Sequence, residues 1–432
     1  MSTHNLKITP RDLLFMRDAR PMEASDAGQG ANWPRPDQLW NAFMAAFWRQ
    51  WPVRDVQFEG QKHTVNEHDK HKDNEFRFGA LLTAGPFPCK NENGKDTCFF
   101  PCPLDLGIDD MHQLLPMKMQ RTGEGTNLPK PLKYVFVSPV LGKETPPQWI
   151  DMDTYQKYLK SETVTLPENR WNPKLWSTDR NIGNAIDPER GSTVDGKLYQ
   201  AEYLRLEQDV AMAAIASCDL KAKFIEDKVD ILGKFLATTH EMILGGQQGV
   251  VNLEEINASL TLPALSQCPA EANGKGPVFL RWTLLAPALF PEIGAHCGGW
   301  LPTWVDAETG EVKLPSAAQK VERQRGETRE AWRKRCQGAP ITGAHLVGAR
   351  IGKPIYFSGW TNDGSPKQTH AAVPAGSVYL FKCETPQVAN QLWKVLNATD
   401  ENGQVINRRS AFGEKGFGLG VCSIVTLDNS NN

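Results

Sequence analysis

Glycine stands at every second position of Gly416-Phe417-Gly418-Leu419-Gly420. That spacing strips side chains from one side of the backbone, so a phosphate chain or a closing helix can approach exposed N–H groups. Such a loop reads shape and charge, not base identity. The structural alternative is a bulged strand. A second group is basic: Lys320, Arg323, Arg325, Arg329, Arg333, Lys334 and Arg335, with Glu322, Glu327 and Glu330 between them. It reads either as a solvated helix laced with i,i+4 pairs or as a contact for phosphate or a partner. A third group gathers His63, His68, His71, Cys89, Cys98 and Cys102 in one window. Zinc needs four such ligands held tetrahedrally. The Cys98-x3-Cys102 spacing is loose and falls in a strand pattern, so no structural metal is expected.

Catalytic signatures are missing. The chain has no Gly-x4-Gly-Lys-[Ser/Thr] phosphate loop, and His240-Glu241 lacks the second histidine of a zinc-protease helix. No Gly-x-Ser-x-Gly elbow occurs, and the glycine run does not have dinucleotide-fingerprint spacing. The expectation is a protein with no catalytic residues, no metal and no cofactor.

The elements that would position these groups alternate between strand and helix periods. Leu6-Lys7-Ile8 and Leu13-Leu14-Phe15 read as extended. From about Asp37, Leu39, Phe43 and Phe47 recur at helical spacing, with Trp40, Met44 and Trp48 beside them, as on a buried helix face. Phe76 to Pro103 reads as a hairpin turning near Asn91–Lys95. Residues 120–132 and 165–195 carry many turn formers and predict long insertions. Leu198–Leu206 reads as a strand, and 228–244 as an amphipathic helix stopped by Gly245-Gly246. After a linker at 265–277, Val278, Leu280, Trp282 and Leu284 alternate onto one strand face. Residues 318–335 read as helical. Val378–Phe381 is a strand pattern, and Thr385-Pro386 opens a helix whose apolar face is Val388, Leu392, Val395 and Leu396. A last strand is expected over Ser423–Leu427. Each half thus follows a β-α-β-β-α-β order. The expected fold class is α+β, two tandem units with insertions, over residues 1–265 and 266–432.

The chain has 432 residues, 40% hydrophobic and 23% charged, with a formal net charge of −2. That is the composition of an ordinary globular protein, and any nucleic-acid site must come from local clustering of cations. No apolar run is long enough to span a membrane, and nine scattered cysteines suit free thiols in a reducing cytosol. A cytoplasmic location with no membrane partner is expected.

Several segments, in order along the chain, resemble the third subunit of the Cmr complex, the type III-B CRISPR effector, a family of the RAMP superfamily. Asp12-Leu13-Leu14-Phe15-Met16-Arg17-Asp18-Ala19-Arg20-Pro21 is similar to its opening, a strand ending in Arg-Asp-x-Arg-Pro. Asp179-Arg180-Asn181-Ile182-Gly183-Asn184-Ala185-Ile186-Asp187 resembles its Arg-x-Gly-Ile-x-Ile-Asp segment, with Asn184-Ala185 inserted after the glycine. Ile355-Tyr356-Phe357-Ser358-Gly359-Trp360 and Pro374-Ala375-Gly376-Ser377-Val378-Tyr379 are family-like, and Gly416 to Val421 resembles the superfamily's terminal glycine-rich loop. The likeness covers most of the chain apart from residues 52–75 and 300–340.

That resemblance implies two ferredoxin-like, RRM-related domains. It implies a subunit for antiviral defence that binds the 5′ repeat-derived handle of the CRISPR RNA. The partners implied are the large polymerase-cyclase subunit and a backbone subunit of the Cmr complex. The RNA-binding residues expected are Arg17, Arg20, Arg180, Gly416, Gly418 and Gly420, the arginines because guanidinium grips phosphate bidentately. Two other readings stay open. One is a RAMP-type endoribonuclease that processes CRISPR RNA precursors, with His296 as its acid or base. The other is a scaffold that touches protein alone.

Overall fold

The computed structural model describes residues 2–16, 33–52, 78, 80–123, 125–140, 144–187, 189–221, 228–256, 260–270, 276–291, 299–316, 324, 326–328, 330–332, 338–358, 368–405 and 407–426. Strands dominate, with few helices.

The first large sheet runs, edge to edge, Glu241–Ile243, Val250–Glu255, His4–Pro10, Val210–Ser217, Leu82–Glu92, Lys95–Pro101 and Trp149–Asp151. The His4–Pro10 strand lies between Val250–Glu255 and Val210–Ser217 and is antiparallel to both. Val210–Ser217 pairs in turn with Leu82–Glu92. In chain order the four main strands are therefore arranged fourth, first, third, second. The helix Pro36–Gln50 connects the first pair, and Ile231–Leu236 the second.

One face of this sheet packs on those helices. Leu39, Phe43 and Phe47 are buried against Leu6, Ile8, Met212, Phe235 and Leu253. The Phe47 and Phe235 rings meet edge to face at 5.3 Å. Each fully buried side chain of this size contributes about 2–3 kcal/mol over leaving it in water. Every residue of Val210–Ser217 is buried, because the opposite face is covered too. The aromatic stripe of Pro36–Gln50 is core, as its spacing predicts.

The second helix is shorter than the periodicity over 228–244 predicts. Asp230 caps it by accepting from the Gly233 N–H, and it ends at Leu236. The backbone N–H groups of Thr238 and Thr239 both close onto the Phe235 carbonyl. Met242 and Ile243 then pair with Val251 and Val250 as an edge strand. The apolar residues in that stretch have helical spacing, but the backbone groups find sheet partners.

The second large sheet runs Gly420–Val425, Val278–Leu284, Val378–Cys383, Ala344–Arg350, Tyr134–Val137 and Lys118–Arg121. Its first four strands are antiparallel and repeat the order fourth, first, third, second. Val278, Leu280, Trp282 and Leu284 all point into one core with Ala389, Leu392, Trp393 and Leu396 of the helix Pro386–Leu396. Thr385 caps that helix by accepting from the Val388 N–H. The expected helix at 318–335 falls largely outside the described residues.

The Lys118–Arg121/Tyr134–Val137 hairpin belongs by sequence to the first half, yet it extends the second sheet. The halves also share a buried polar junction. Arg281, on the second sheet, donates to Asp105 Oδ2 at 3.0 Å, to the Tyr158 carbonyl at 2.9 Å and to Ser423 Oγ at 2.8 Å. Tyr158 donates to Asp105 Oδ1 at 2.7 Å. The Arg281 and Asp105 side chains are each 2% exposed. Burial on its own would favour a neutral Arg281, but Tyr158 and Asp105 more than compensate and keep it protonated.

Candidate nucleic-acid interface

The glycine run lies between the turn Gly413–Lys415 and the strand Gly420–Val425. Gly416 has φ +95° and Gly418 φ +71°. All residues from Gly416 to Gly420 are buried. The space above each glycine is filled by protein. A methyl group at Gly416 would meet the Thr83 carbonyl oxygen at 3.0 Å and Pro36 Cβ, at the start of the first helix, at 3.3 Å. At Gly418 it would meet Ser410 Cβ at 2.3 Å, and at Gly420 it would meet Trp282 Nε1 at 2.2 Å. The Gly416 N–H donates to the Gly413 carbonyl and the Gly418 N–H to that of Pro287. Of the two approaches the spacing allows, this fold uses the one to its own helix and strands. The close packing leaves no room for phosphate on the inner side of the run.

The outer wall of the same turn has different chemistry. Phe412 takes the left-handed conformation just before it, with φ 58°. Lys415 Nζ stands 4.5 Å from the Phe412 ring centre and 4.9 Å from that of Trp40. His370 contacts Phe357 and Phe412, each with ring centres 5.5 Å apart. Phe357 also stacks on Phe417 at 5.2 Å. Burial, then the nearby Lys415, pulls the His370 pKa down, which keeps the ring neutral and able to stack. Tyr356, beside Phe357, is 54% exposed. Arg408 precedes the turn, and burial pushes its pKa down to about 10. Its Nε has no hydrogen-bond partner among the described residues. Lys415, His370, Phe357 and Phe412 thus gather against the outer side of the turn that leads into the buried glycine run. The alternate glycines carry a sequence signal, whereas Phe412 and Lys415, just before them, carry none. Phe357 and His370 join only through the Ile355–Phe357/His370–Ala372 pairing.

Arg180 stands on a separate feature. Trp176–Ile186 and Thr193–Leu206 form a two-stranded antiparallel ribbon. The resemblance block at 179–187 is therefore mostly strand, and the register shift between Asn184 and Ile186 accommodates the inserted Asn184-Ala185. The ribbon is rooted by Trp176, which meets Trp33 at 4.9 Å and Trp149 at 6.0 Å. Further out, Ile182 is 70% and Ile186 64% exposed. Arg180 pairs with Glu202 across the ribbon at 3.0 Å, and its side chain is 66% exposed. Arg205 pairs with Asp179 at 2.6 Å. Arg17 and Arg20 lie outside the described residues; Leu14, before them, bridges to Leu204 at the ribbon's root. Arg180 and the glycine run are thus on different structural features.

A cleft of about 980 Å³ opens at the junction of the halves, between the ribbon's root and the glycine-run side. Trp33, Arg35, Pro86, Leu104, Arg350 and Pro374 are among its walls.

His63, His68, His71 and His296 lie outside the described residues, as does most of the basic run at 318–335. Cys89 and Cys98 face each other across the hairpin. Hydrogen bonding between the two thiols lowers the Cys89 pKa and raises that of Cys98. No group of three or more metal-ligating side chains occurs among the described residues. No described helix is long and apolar enough to cross a membrane.

A family model described as CRISPR-associated protein (Cas_Cmr3) matches residues 6–425. No curated protein sequence matches the chain. Among solved structures, the chain is similar to one in a cryo-EM structure of the type III-B Cmr-beta bound to cognate target RNA and AMPPnP. The identity is 13%, coverage is 87% of this chain and 86% of that chain, and the TM-score is 0.44. It is also similar to one in a crystal structure of the Csm3-Csm4 subcomplex in the type III-A CRISPR-Cas interference complex. There the identity is 10%, coverage is 87% and 92%, and the TM-score is 0.36.

Proposed function

Because this chain belongs to the CRISPR-associated Cas_Cmr3 family, we propose that it is a non-catalytic subunit of a type III-B effector complex. In this reading it grips the 5′ repeat-derived handle of the CRISPR RNA and docks the large polymerase-cyclase subunit beside a backbone subunit. Its two fourth-first-third-second sheets are then tandem ferredoxin-like domains, divided near residue 265. The work is antiviral defence in the cytoplasm.

The observation that carries the RNA-binding role is the cation–aromatic cluster of Phe412, Lys415, His370 and Phe357 on the outer wall of the glycine turn, with Tyr356 exposed on the opposite side of the same strand. A handle is single-stranded, and single strands are held by stacking of unpaired bases with cations along the backbone. The glycines act one step back. They let the turn close tightly on Thr83, Ser410 and Trp282, and so fix the cluster's position. The ribbon, with Arg180 and its exposed isoleucines, flanks the RNA path or meets a neighbouring subunit.

Ultraviolet crosslinking of the assembled complex, followed by mass spectrometry, tests this. Handle nucleotides are expected on peptides containing Tyr356, Phe412 or Lys415. Handle crosslinks confined to other subunits would refute the role. Purified chain incubated with repeat RNA should leave it intact; cleavage that disappears in His296→Ala would replace this reading with the endoribonuclease.

A further inference from the structure

The outer face of the second sheet carries a separate feature. Residues directly opposite across paired strands point to the same side. Phe279 is opposite Lys382, and Lys382 is opposite His345, so these three form a row across three strands. On the added hairpin, Tyr134 is opposite Arg121 and Phe136 is opposite Met119. The Tyr134 and Phe279 rings meet edge to face at 5.6 Å, which joins the two groups on one face. Beneath them lie Val347, Leu380 and Val425. Two residues along the strand from Phe279, Arg281 on this same face is covered by Tyr158. Phe279, Tyr134 and Phe136 are only half-buried.

Beside these rings is a depression of about 280 Å³. Arg121, Lys133, His345 and Lys382 line it, with Glu384 as the one carboxylate. Among the described residues, Arg121, Lys133 and Lys382 are in no side-chain ion pair. Three fixed positive charges against the single carboxylate of Glu384 leave the depression net positive, and a bound anion relieves the remaining repulsion. A strictly apolar partner would leave the cations desolvated and unpaired. An anion flanked by aromatic faces is the chemistry of a nucleotide.

We infer that this face binds single-stranded RNA, with a phosphate in the Arg121/Lys133/Lys382 depression and a base against Tyr134 or Phe136. The contact is distinct from the glycine-turn cluster, and rests on the RNA-binding reading only in its choice of RNA as the strand. It reads no sequence, since phosphate contacts position a strand without specifying it.

The test uses the full chain and a fluorescein-labelled oligo-uridylate of about ten nucleotides, a length suited to such a surface. Polarisation titrations are run from low to physiological salt. The Arg121→Gln, Lys382→Gln double variant should bind about tenfold more weakly, and its log-affinity against log-salt slope should flatten by about 1.4, two phosphate contacts at about 0.7 each. Tyr134→Leu should lose roughly fivefold or more with the slope unchanged. All three positions are exposed or half-buried, and melting curves confirm that each variant folds. Lys415→Glu, measured in parallel on handle RNA, tests the proposed function separately, because oligo-uridylate lacks the handle sequence. If the parent fails to bind oligo-uridylate at low salt, or the double variant keeps its affinity and slope, the inference is wrong. It is equally overturned if the double variant binds RNA normally but no longer co-purifies with the other subunits; the face would then be an acidic-protein dock.

Discussion

The ribbon Trp176–Leu206 and the glycine run Gly416–Gly420 both come from segments that resemble functional motifs of one family, yet their construction is opposite. In the ribbon, backbone bonds run between its two strands and, at its root alone, from Leu204 to Leu14, while Ile182 and Ile186 face solvent. In the glycine run, every residue is buried and main-chain atoms touch three other segments. A two-stranded ribbon has little tertiary packing to lose, so substitutions there act on binding. A close-packed turn has no slack, so substitutions there act on folding first. One motif is a surface and the other is a joint, although both are read from sequence as contacts.

The most severe test of the joint lies behind it. Asp105→Ala should destabilise the protein by about 3–5 kcal/mol, because it strands the buried Arg281 guanidinium next to Ser423 on the strand that follows the glycine run. Urea denaturation reads this directly. A loss under 1 kcal/mol would mean the junction opens to water and the joint is looser than described.

Gly418→Ala should cost about 2–3 kcal/mol, from a Cβ only 2.3 Å from Ser410 Cβ and from a φ of +71°. On this view alanine is already harmful at Gly418. A folded, fully stable Gly418→Ala protein would return the run to the role of an open loop.

A milder expectation concerns pH. Protonated His4 donates from both ring nitrogens, to Glu255 and Asp230, each at 2.7 Å. Burial lowers its pKa, but the hydrogen bonds to Asp230 and Glu255 outweigh that and raise it above the ordinary 6.5. The folded state therefore binds the proton more tightly than the unfolded chain. This stabilisation is full below 6.5 and is lost as pH rises through the raised folded value. The melting temperature should fall across that window in the parent and stay flatter in His4→Gln. This tie fastens the N-terminal strand to the cap of the helix Ile231–Leu236, away from the ribbon, so the ribbon variants should share the parent's pH profile.

The smallest stability change is expected on the ribbon. Arg180→Ala removes an exposed pair with Glu202 and should alter stability by less than about 0.5 kcal/mol. If the ribbon flanks RNA, affinity for the handle should drop by about 1 kcal/mol, near fivefold. Unchanged affinity at physiological salt would leave the ribbon to a protein neighbour.

The sequence by itself determined most of the local structure. The helical spacing of Leu39, Phe43 and Phe47, the cap Thr385-Pro386 and the alternation Val278-Leu280-Trp282-Leu284 are set by side-chain periodicity, which needs no knowledge of the rest of the chain. It also carried the family, through short segments from Asp12 to Val421. The short second helix was not legible, because edge pairing of Met242 with Val251 overrides a helical pattern. Nor was the inward turn of the glycines: alternate glycine says that something comes close, and only the packing of Thr83, Ser410 and Trp282 says what. The cluster of Phe357, His370, Phe412 and Lys415, and the row of Phe279, Lys382 and His345 beside Tyr134, join residues far apart in the chain. Strand order and register create those neighbours, and both are properties of the folded sheet as a whole.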